Sequence, residues 1–334
     1  MKYIYCLPGR TFPGVIEAVM TVTFYGVRGS IPTPLSGDAV NRKVVQAMNA
    51  VLKKKISSAK GIAQEMKAES ASFSTTYGGN TMCVEIADGD KRIILDGGSG
   101  LRAIGNKLMR EKNGGIEAHI LFSHFHVDHI HGVPFFVPIF IPGSKIHFYG
   151  GHDHVLSSIS KYINPPFFPI AYEDLASTRS ATILEPGKSY EIQGFTIRIH
   201  ALNHPNGCYA YRIERGGKTV IYATDSEFMD RPPDEFRGYV DFFRGADCLI
   251  ADAQYSIADS LIAKIGWGHS SCNIDIDLAC DAAVKKLVFC HYDPLADDDE
   301  LEQMLTEANE YLKVMHPKKK LALALAQEEA AFTV

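Results

Sequence analysis

The sequence predicts an α/β protein, an αββα sandwich in which two sheets pack face to face with helices outside, interrupted by an inserted helical hairpin. Two observations predict the sandwich. Short apolar strands come first in meander-like pairs and then alternate with helices, and this order runs twice along the chain. Several of these strands empty into histidine and aspartate, which places chemistry along a sheet edge. A third observation predicts the insertion. Over residues 37–70, Val40, Val44, Met48, Val51 and Leu52 recur at helical spacing among lysines and glutamines, and Ile62 and Met66 mark a second helix.

Residues 1–19 are broken by Pro8 and Pro13 and carry no basic lead beyond Lys2, so they read as an N-terminal extension rather than a signal peptide. The domain itself is expected over 20–334. A strand over 22–25 runs into the turn-rich Gly26-Val27-Arg28-Gly29-Ser30-Ile31-Pro32-Thr33-Pro34. The hairpin follows, either as packing decoration or as a cover over the active site. After Tyr77-Gly78-Gly79-Asn80-Thr81 come strands over 82–87 and 92–95, joined by the turn signal Asp88-Gly89-Asp90. Asp96-Gly97-Gly98-Ser99-Gly100 then leads into a helix over 101–110. The next strand, 118–122, carries the histidine cluster. Further strands are expected at 145–149, 195–202, 209–214, 219–223, 248–251 and 287–290, with helices over 273–284 and 300–314. No repeat of fixed period or low-complexity tract is visible.

Length and composition allow one large domain with a sizeable core. A net charge of −5 and the lack of a basic stripe argue against a grip on long nucleic acids, although bound metals can supply local positive charge for a small phosphate. The cysteines (Cys6, Cys83, Cys208, Cys248, Cys272, Cys280, Cys290) are scattered without a CxxC pair, which fits a reducing cytoplasm and no disulfides. No stretch approaches the length of a membrane span.

The most informative segment is Ser123-His124-Phe125-His126-Val127-Asp128-His129, directly after an apolar strand. Side chains of this kind at such density cannot all find ordinary hydrogen-bond partners in a core. A divalent ion resolves the conflict, because neutral imidazole nitrogens and carboxylate oxygens are the ligands it takes. Four later fragments are each read as following an apolar strand: Leu202-Asn203-His204-Pro205, Tyr222-Ala223-Thr224-Asp225-Ser226, Gly266-Trp267-Gly268-His269-Ser270-Ser271 and Phe289-Cys290-His291-Tyr292-Asp293.

In this order, behind an HxHxDH cluster, the fragments resemble the metallo-β-lactamase superfamily, specifically its branch of phosphodiesterases and tRNase Z. The resemblance covers roughly residue 20 to the C-terminus without the hairpin. It implies two divalent ions, zinc first, with manganese or iron suited to the same ligand types. One ion falls to His124, His126 and His204, the other to Asp128, His129 and His291, and Asp225 bridges them. Alternation on an extended chain fits that division, with His124, His126 and Asp128 facing one cleft and His129 turned to a neighbouring site. A water held between two such ions loses its proton near neutral pH and attacks phosphorus in line with the leaving oxygen.

The resemblance also implies that His269 is a proton donor and not a ligand. Asp252, in Ile250-Ala251-Asp252-Ala253-Gln254-Tyr255, would orient it and keep it protonated; helix capping is the other reading of Asp252. Asp128 counts with these two as catalytic besides being a ligand. Asp96 either fixes a ligand imidazole through its other nitrogen or simply forms a turn. His131 reads as a satisfied neighbour, and His152 and His154 as the start of a helix. His119, His147, His200 and His316 read as incidental.

Three features address the substrate. The His269 motif and the run 207–214 resemble the phosphodiester branch. His204 and Asp225 are only 21 positions apart, leaving no room for the long tRNA-gripping arm of tRNase Z. The motifs at 26–32, 77–81, 252–255 and 266–270 together resemble cyclic-nucleotide phosphodiesterases of this fold. The expectation is two-metal hydrolysis of a small phosphodiester, a 3′,5′-cyclic mononucleotide, by a homodimer. An RNase Z-like nuclease and a lactonase or thioesterase are the alternatives. Arg28, Asn80, Ser270 and Ser271 are expected either to touch phosphate or base or to shape loops.

Overall fold

The computed structural model describes residues 19–68, 73, 75–112, 114–229, 231–255 and 264–334. The expected extension over 1–19 lies almost wholly outside these residues, as does the expected end of the hairpin at 69–70.

The described residues form the two-sheet sandwich. The first sheet has the order β14-β1-β2-β3-β4-β5-β6, and its strands are β1 (Thr21–Gly26), β2 (Cys83–Asp88), β3 (Lys91–Leu95), β4 (Glu117–Phe122), β5 (Lys145–Gly150), β6 (Thr178–Ile183) and β14 (Ala331–Thr333). The second has the order β13-β12-β11-β10-β9-β8-β7, with β7 (Tyr190–Ile192), β8 (Phe195–Leu202), β9 (Cys208–Arg215), β10 (Lys218–Ala223), β11 (Cys248–Asp252), β12 (Lys286–Cys290) and β13 (Ala322–Leu325). In each sheet an antiparallel meander gives way to parallel strands, at β3–β4 in one and at β10–β11 in the other.

Alternation decides which way each side chain goes. On β3, Ile93 and Leu95 join the core between the sheets while Ile94 turns to the outer helices; on β4, Leu121 and Ile120 divide the same way. The outer layer of the first sheet includes α3 (Leu101–Glu111) and α5 (Val155–Tyr162), whose Ile104, Leu108, Val155 and Ile159 cover Ile120, Phe122, Ile146 and Phe148. On the second sheet, β8 buries Phe195, Ile197 and Ile199 and exposes Arg198. Strand β11 is buried along its whole length, because α6 (Pro233–Phe243), α7 (Cys272–Asp281) and α8 (Asp298–Met315) cover its outer face; a parallel strand covered on both faces reads as a continuous apolar run. No helix among the described residues is long and apolar enough to cross a membrane. Cys83, Cys208, Cys248, Cys272, Cys280 and Cys290 are free and buried.

The inserted hairpin is present as α1 (Gly37–Lys53) and α2 (Ala59–Ala68). Ser36 Oγ caps α1 by accepting from the Ala39 N–H, and Lys54 pairs with Glu65 across the two helices. The predicted stripe does not enter the core. Nothing on α1 is buried, and Met48 and Leu52 are 59% and 71% exposed. The insertion meets the body of the protein at the start of α8, where Lys43 Nζ lies 2.9 Å from Asp298 Oδ2.

Strands β6, β7, β13 and β14 and helix α6 carry no signal that the sequence reading used. Strand β6 is an exposed edge strand, Thr-Arg-Ser-Ala-Thr-Ile, held by its parallel ladder to β5 rather than by an apolar face. Helix α6 opens on Pro232-Pro233, residues that read as a break, yet proline is at home in a first helical turn.

Candidate metal centre

The predicted site residues converge where strands β3, β4, β8, β10, β11 and β12 end. Three of the turns that leave these strands use left-handed backbone at a non-glycine residue: Asp96 after β3, Asp225 after β10 and His291 after β12 have φ of 58°, 62° and 55°. Such backbone turns a side chain sharply off the strand axis, and observed strain of this kind gathers at functional sites.

One correction concerns the cluster itself. Asp128 does not continue an extended run with His124 and His126. Val127–Ile130 is a single helical turn, α4, so Asp128 and His129 both reach inward from adjacent helical positions. The turn is held from outside its own sequence, by Thr81 Oγ1 donating to the Asp128 carbonyl and the Gly97 N–H donating to the His129 carbonyl.

All seven expected ligands come together. His204 Nε2 lies 3.1 Å from His126 Nδ1, and the ligand atoms of His124, His126 and His204 fall within 4.8 Å of one another. In the neighbouring group, His291 Nε2 lies 3.2 Å from both His129 Nε2 and Asp128 Oδ2. Asp225 stands between, with Oδ1 3.1 Å from His291 Nε2 and 4.0 Å from His124 Nε2, and Oδ2 3.4 Å from His129 Nε2.

These residues fit divalent ions by their unmet bonding. His124 Nε2 and Asp225 Oδ2 are buried and have no hydrogen-bond partner. Polar atoms left this way in a protein interior call for a ligand. The opposite ring nitrogens are held so that the free ones face inward: His129 Nδ1 by Asp96 Oδ2 at 2.8 Å, His204 Nδ1 by the Gly268 carbonyl at 2.9 Å, and His124 Nδ1 by Ser123 Oγ at 3.1 Å. Burial pushes the His204 imidazole down to about 4, and burial together with His129 holds His124 well below its ordinary value, so both offer lone pairs at neutral pH. Burial alone would lower His129 and His291 too, but Asp225 and Asp128 outweigh it and raise them.

His269 stands beside this group. Its Nδ1 lies 2.7 Å from Asp252 Oδ2, and its ring stacks on His291 with centroids 5.1 Å apart. His269 also falls within ligand range of His204 and Asp225, but Asp252 already occupies its Nδ1. Ile265 and Trp267, just ahead of it, are 64% and 61% exposed. Asp96 fixes His129 and takes three further bonds, from the N–H and the hydroxyl of Ser123 and from the Tyr222 hydroxyl at 2.6 Å. Tyr222 was not singled out by sequence, although a tyrosine within a buried apolar strand signals a hydroxyl that needs a partner. The Ser30 N–H, 2.8 Å from Asp128 Oδ2, left no signal at all.

Three polar residues hold loops. Arg28 is buried and spends its guanidinium on the carbonyls of Gly78, Asp293 and Ala296. Asn80 binds Glu328 and Ser99, and Ser270 donates to the Ser226 carbonyl. Ser271 Oγ is buried without a partner. His154 occupies the N-cap position of α5 without a side-chain capping bond, and His152 Nε2 donates to the Gly207 carbonyl at 3.1 Å.

Residues 91–292 match the family model described as the Beta-lactamase superfamily domain. The "Probable metallo-hydrolase YhfI" of Bacillus subtilis (strain 168) is 26% identical over 218 residues, 64% of this chain and 81% of that protein. Its crystal structure superimposes with a TM-score of 0.62 at 18% identity, covering 95% of this chain and all of that one. Ribonuclease Z of Thermoplasma acidophilum is 24% identical over 254 residues, 60% of this chain and 77% of that protein. Unliganded yeast PDE1 shares the fold with a TM-score of 0.61 at 13% identity, over 95% of this chain and all of that one.

Proposed function

The chain belongs to the β-lactamase superfamily and is a metal-dependent hydrolase, and on that premise we propose that it cleaves a small phosphodiester, a 3′,5′-cyclic mononucleotide, with two zinc-like ions and His269 as proton donor. The observation that carries this reading is the buried Asp252–His269 pair beside a complete set of seven ligands. Lactone and thioester hydrolysis has less need of a dedicated proton donor, whereas a leaving ribose oxygen does need one.

His124, His126 and His204 would hold one ion, Asp128, His129 and His291 the other, and Asp225 would be shared between them. When bound, the ions supply Lewis acidity toward the phosphoryl oxygens and make water nucleophilic near neutral pH. The remaining work belongs to the chain. Asp252 accepts from His269 Nδ1 and fixes the ring, leaving Nε2 to deliver a proton to the departing oxygen. The Ser30 N–H orients Asp128. Trp267 offers an exposed aromatic face on which a base can stack.

A small substrate is supported by what fills the interval between His204 and Asp225. It is the β9–β10 pair, closed by a turn at 216–217, with no arm for a large RNA. The ribonuclease Z relatives favour a second reading, cleavage of RNA. Metal-reloaded protein assayed against 3′,5′-cyclic nucleotides, a chromogenic phosphodiester, a structured RNA, a lactone and a thioester separates the readings. Turnover of cyclic nucleotides that His269→Ala abolishes supports the proposal. Preference for RNA, or lactone turnover indifferent to His269, overturns it. We infer a cytoplasmic homodimer from the free cysteines and the family resemblance; light scattering on the purified chain tests the dimer.

A further inference from the structure

We propose that Glu117, His119 and His147 form a separate binding site for a zinc-like divalent transition-metal ion, at the end of the sandwich opposite the active site. His119 and His147 are register partners on the adjacent parallel strands β4 and β5, and their rings stack with centroids 4.7 Å apart at 19°. Glu117 lies two residues before His119 and so shares its face of the sheet. The three ligand atoms fall within 4.8 Å of one another, with Glu117 Oε1 3.3 Å from His147 Nε2 and 3.8 Å from His119 Nε2. His119 is five positions before His124 along the strand direction, or roughly 16 Å at about 3.3 Å per residue, so the two groups do not share ligands.

The rings are arranged as ligands are. His119 Nδ1 lies 2.9 Å from the Tyr149 hydroxyl and His147 Nδ1 lies 2.8 Å from Ser180 Oγ. When these hydroxyls accept, each imidazole carries its proton on Nδ1 and turns the Nε2 lone pair toward Glu117. His147 Nε2 is buried and makes no hydrogen bond, although a carboxylate oxygen stands 3.3 Å away. Two acceptors facing each other at that distance repel unless a cation lies between them. Burial, reinforced by His147, lowers His119 to about 4, so that its lone pair is free at neutral pH. Gln193 Nε2 now lies 2.7 Å from His119 Nε2. Turning that amide would present its oxygen instead, a fourth ligand from the β7–β8 turn of the other sheet. An ion here would tie β4 and β5 of one sheet to the second sheet, and Glu117, half exposed, leaves it a path in.

Imidazole nitrogens with one carboxylate suit zinc, cobalt or nickel rather than calcium or magnesium. The test strips the full chain with chelator, reloads it with zinc and then dialyses away the excess. Wild type should retain one more ion per chain than His147→Ala, with phosphodiester turnover equal in the two and a thermal midpoint raised more by zinc in wild type. His147→Gln and Glu117→Gln repeat the comparison if the alanine variant does not fold. Equal metal content in wild type and every variant overturns the proposal and leaves a proton as what joins His147 to Glu117. Because the measurement is a difference, loss of the active-site ions would lower all these proteins alike and would not imitate either result.

Discussion

His269 Nδ1 lies 2.7 Å from Asp252 Oδ2, and the carboxylate behind that bond is completely buried. Burial pushes the Asp252 carboxyl up, and His269 opposes that shift by stabilising the charged form. If the pair delivers a proton, His269→Ala should lower kcat by about 10²–10⁴ while metal content stays at the wild-type level. Asp252→Asn keeps the shape but loses the charge, and should lower kcat about tenfold or more with little change in KM. Loss of metal in either variant, measured by elemental analysis, would show that the pair builds the site instead of acting in it.

Asp96 receives His129, Ser123 and Tyr222 together. Asp96→Ala should therefore weaken binding at the ion held by His129 by about 10–100-fold, as read by chelator competition. Tyr222→Phe removes only one of the bonds to Asp96 and should produce a smaller loss. Unchanged affinity in Asp96→Ala would return this residue to the role of a turn former.

Gly268 packs directly on His204, one of the proposed ligands. A Cβ there would stand 2.1 Å from His204 Nδ1, on backbone with φ of 86°. Gly268→Ala should displace His204, lowering metal content and turnover together. Gly245→Ala is the control, since its φ of 68° meets open space. It should cost about 1–2 kcal/mol of stability through the left-handed backbone alone and leave metal content intact.

Asp275, in the first turn of α7, is wholly buried with neither oxygen hydrogen-bonded. Burial, with Asp252 nearby, raises its carboxyl well above the ordinary range. The sign follows directly. Above pH ~4 the unfolded chain gives up a proton that the folded chain keeps, so stability falls by about 1.4 kcal/mol per pH unit until the folded pKa is reached. Asp275→Asn should flatten that slope and be the more stable protein at pH 7, with the advantage gone at pH 3. Parallel denaturation curves at every pH would refute the assignment.

How much of this was legible beforehand depends on the kind of signal. The seven candidate ligands could be named in advance, because imidazole and carboxylate at strand ends have few other uses, and the fold brings them together. The period of α1 and α2 was equally readable, but period says only that a helix has an apolar stripe. Val40, Val44 and Met48 show that such a stripe can remain exposed. Strand β6 was hidden because an edge strand needs no apolar alternation, and Asp128 was set on the wrong backbone because its helical turn is held by Thr81 and Gly97.

Residue chemistry and local order determined that this chain is a sandwich of strands ending in a ligand set, since those properties are carried by neighbours in sequence. Tertiary structure decided which nitrogen of each imidazole faces inward and which carboxylates are buried. Those choices are made by partners far along the chain, such as Tyr222 on Asp96 across 126 positions and Gly268 on His204 across 64. Hydrogen bonds and burial act through space, and no local pattern records them.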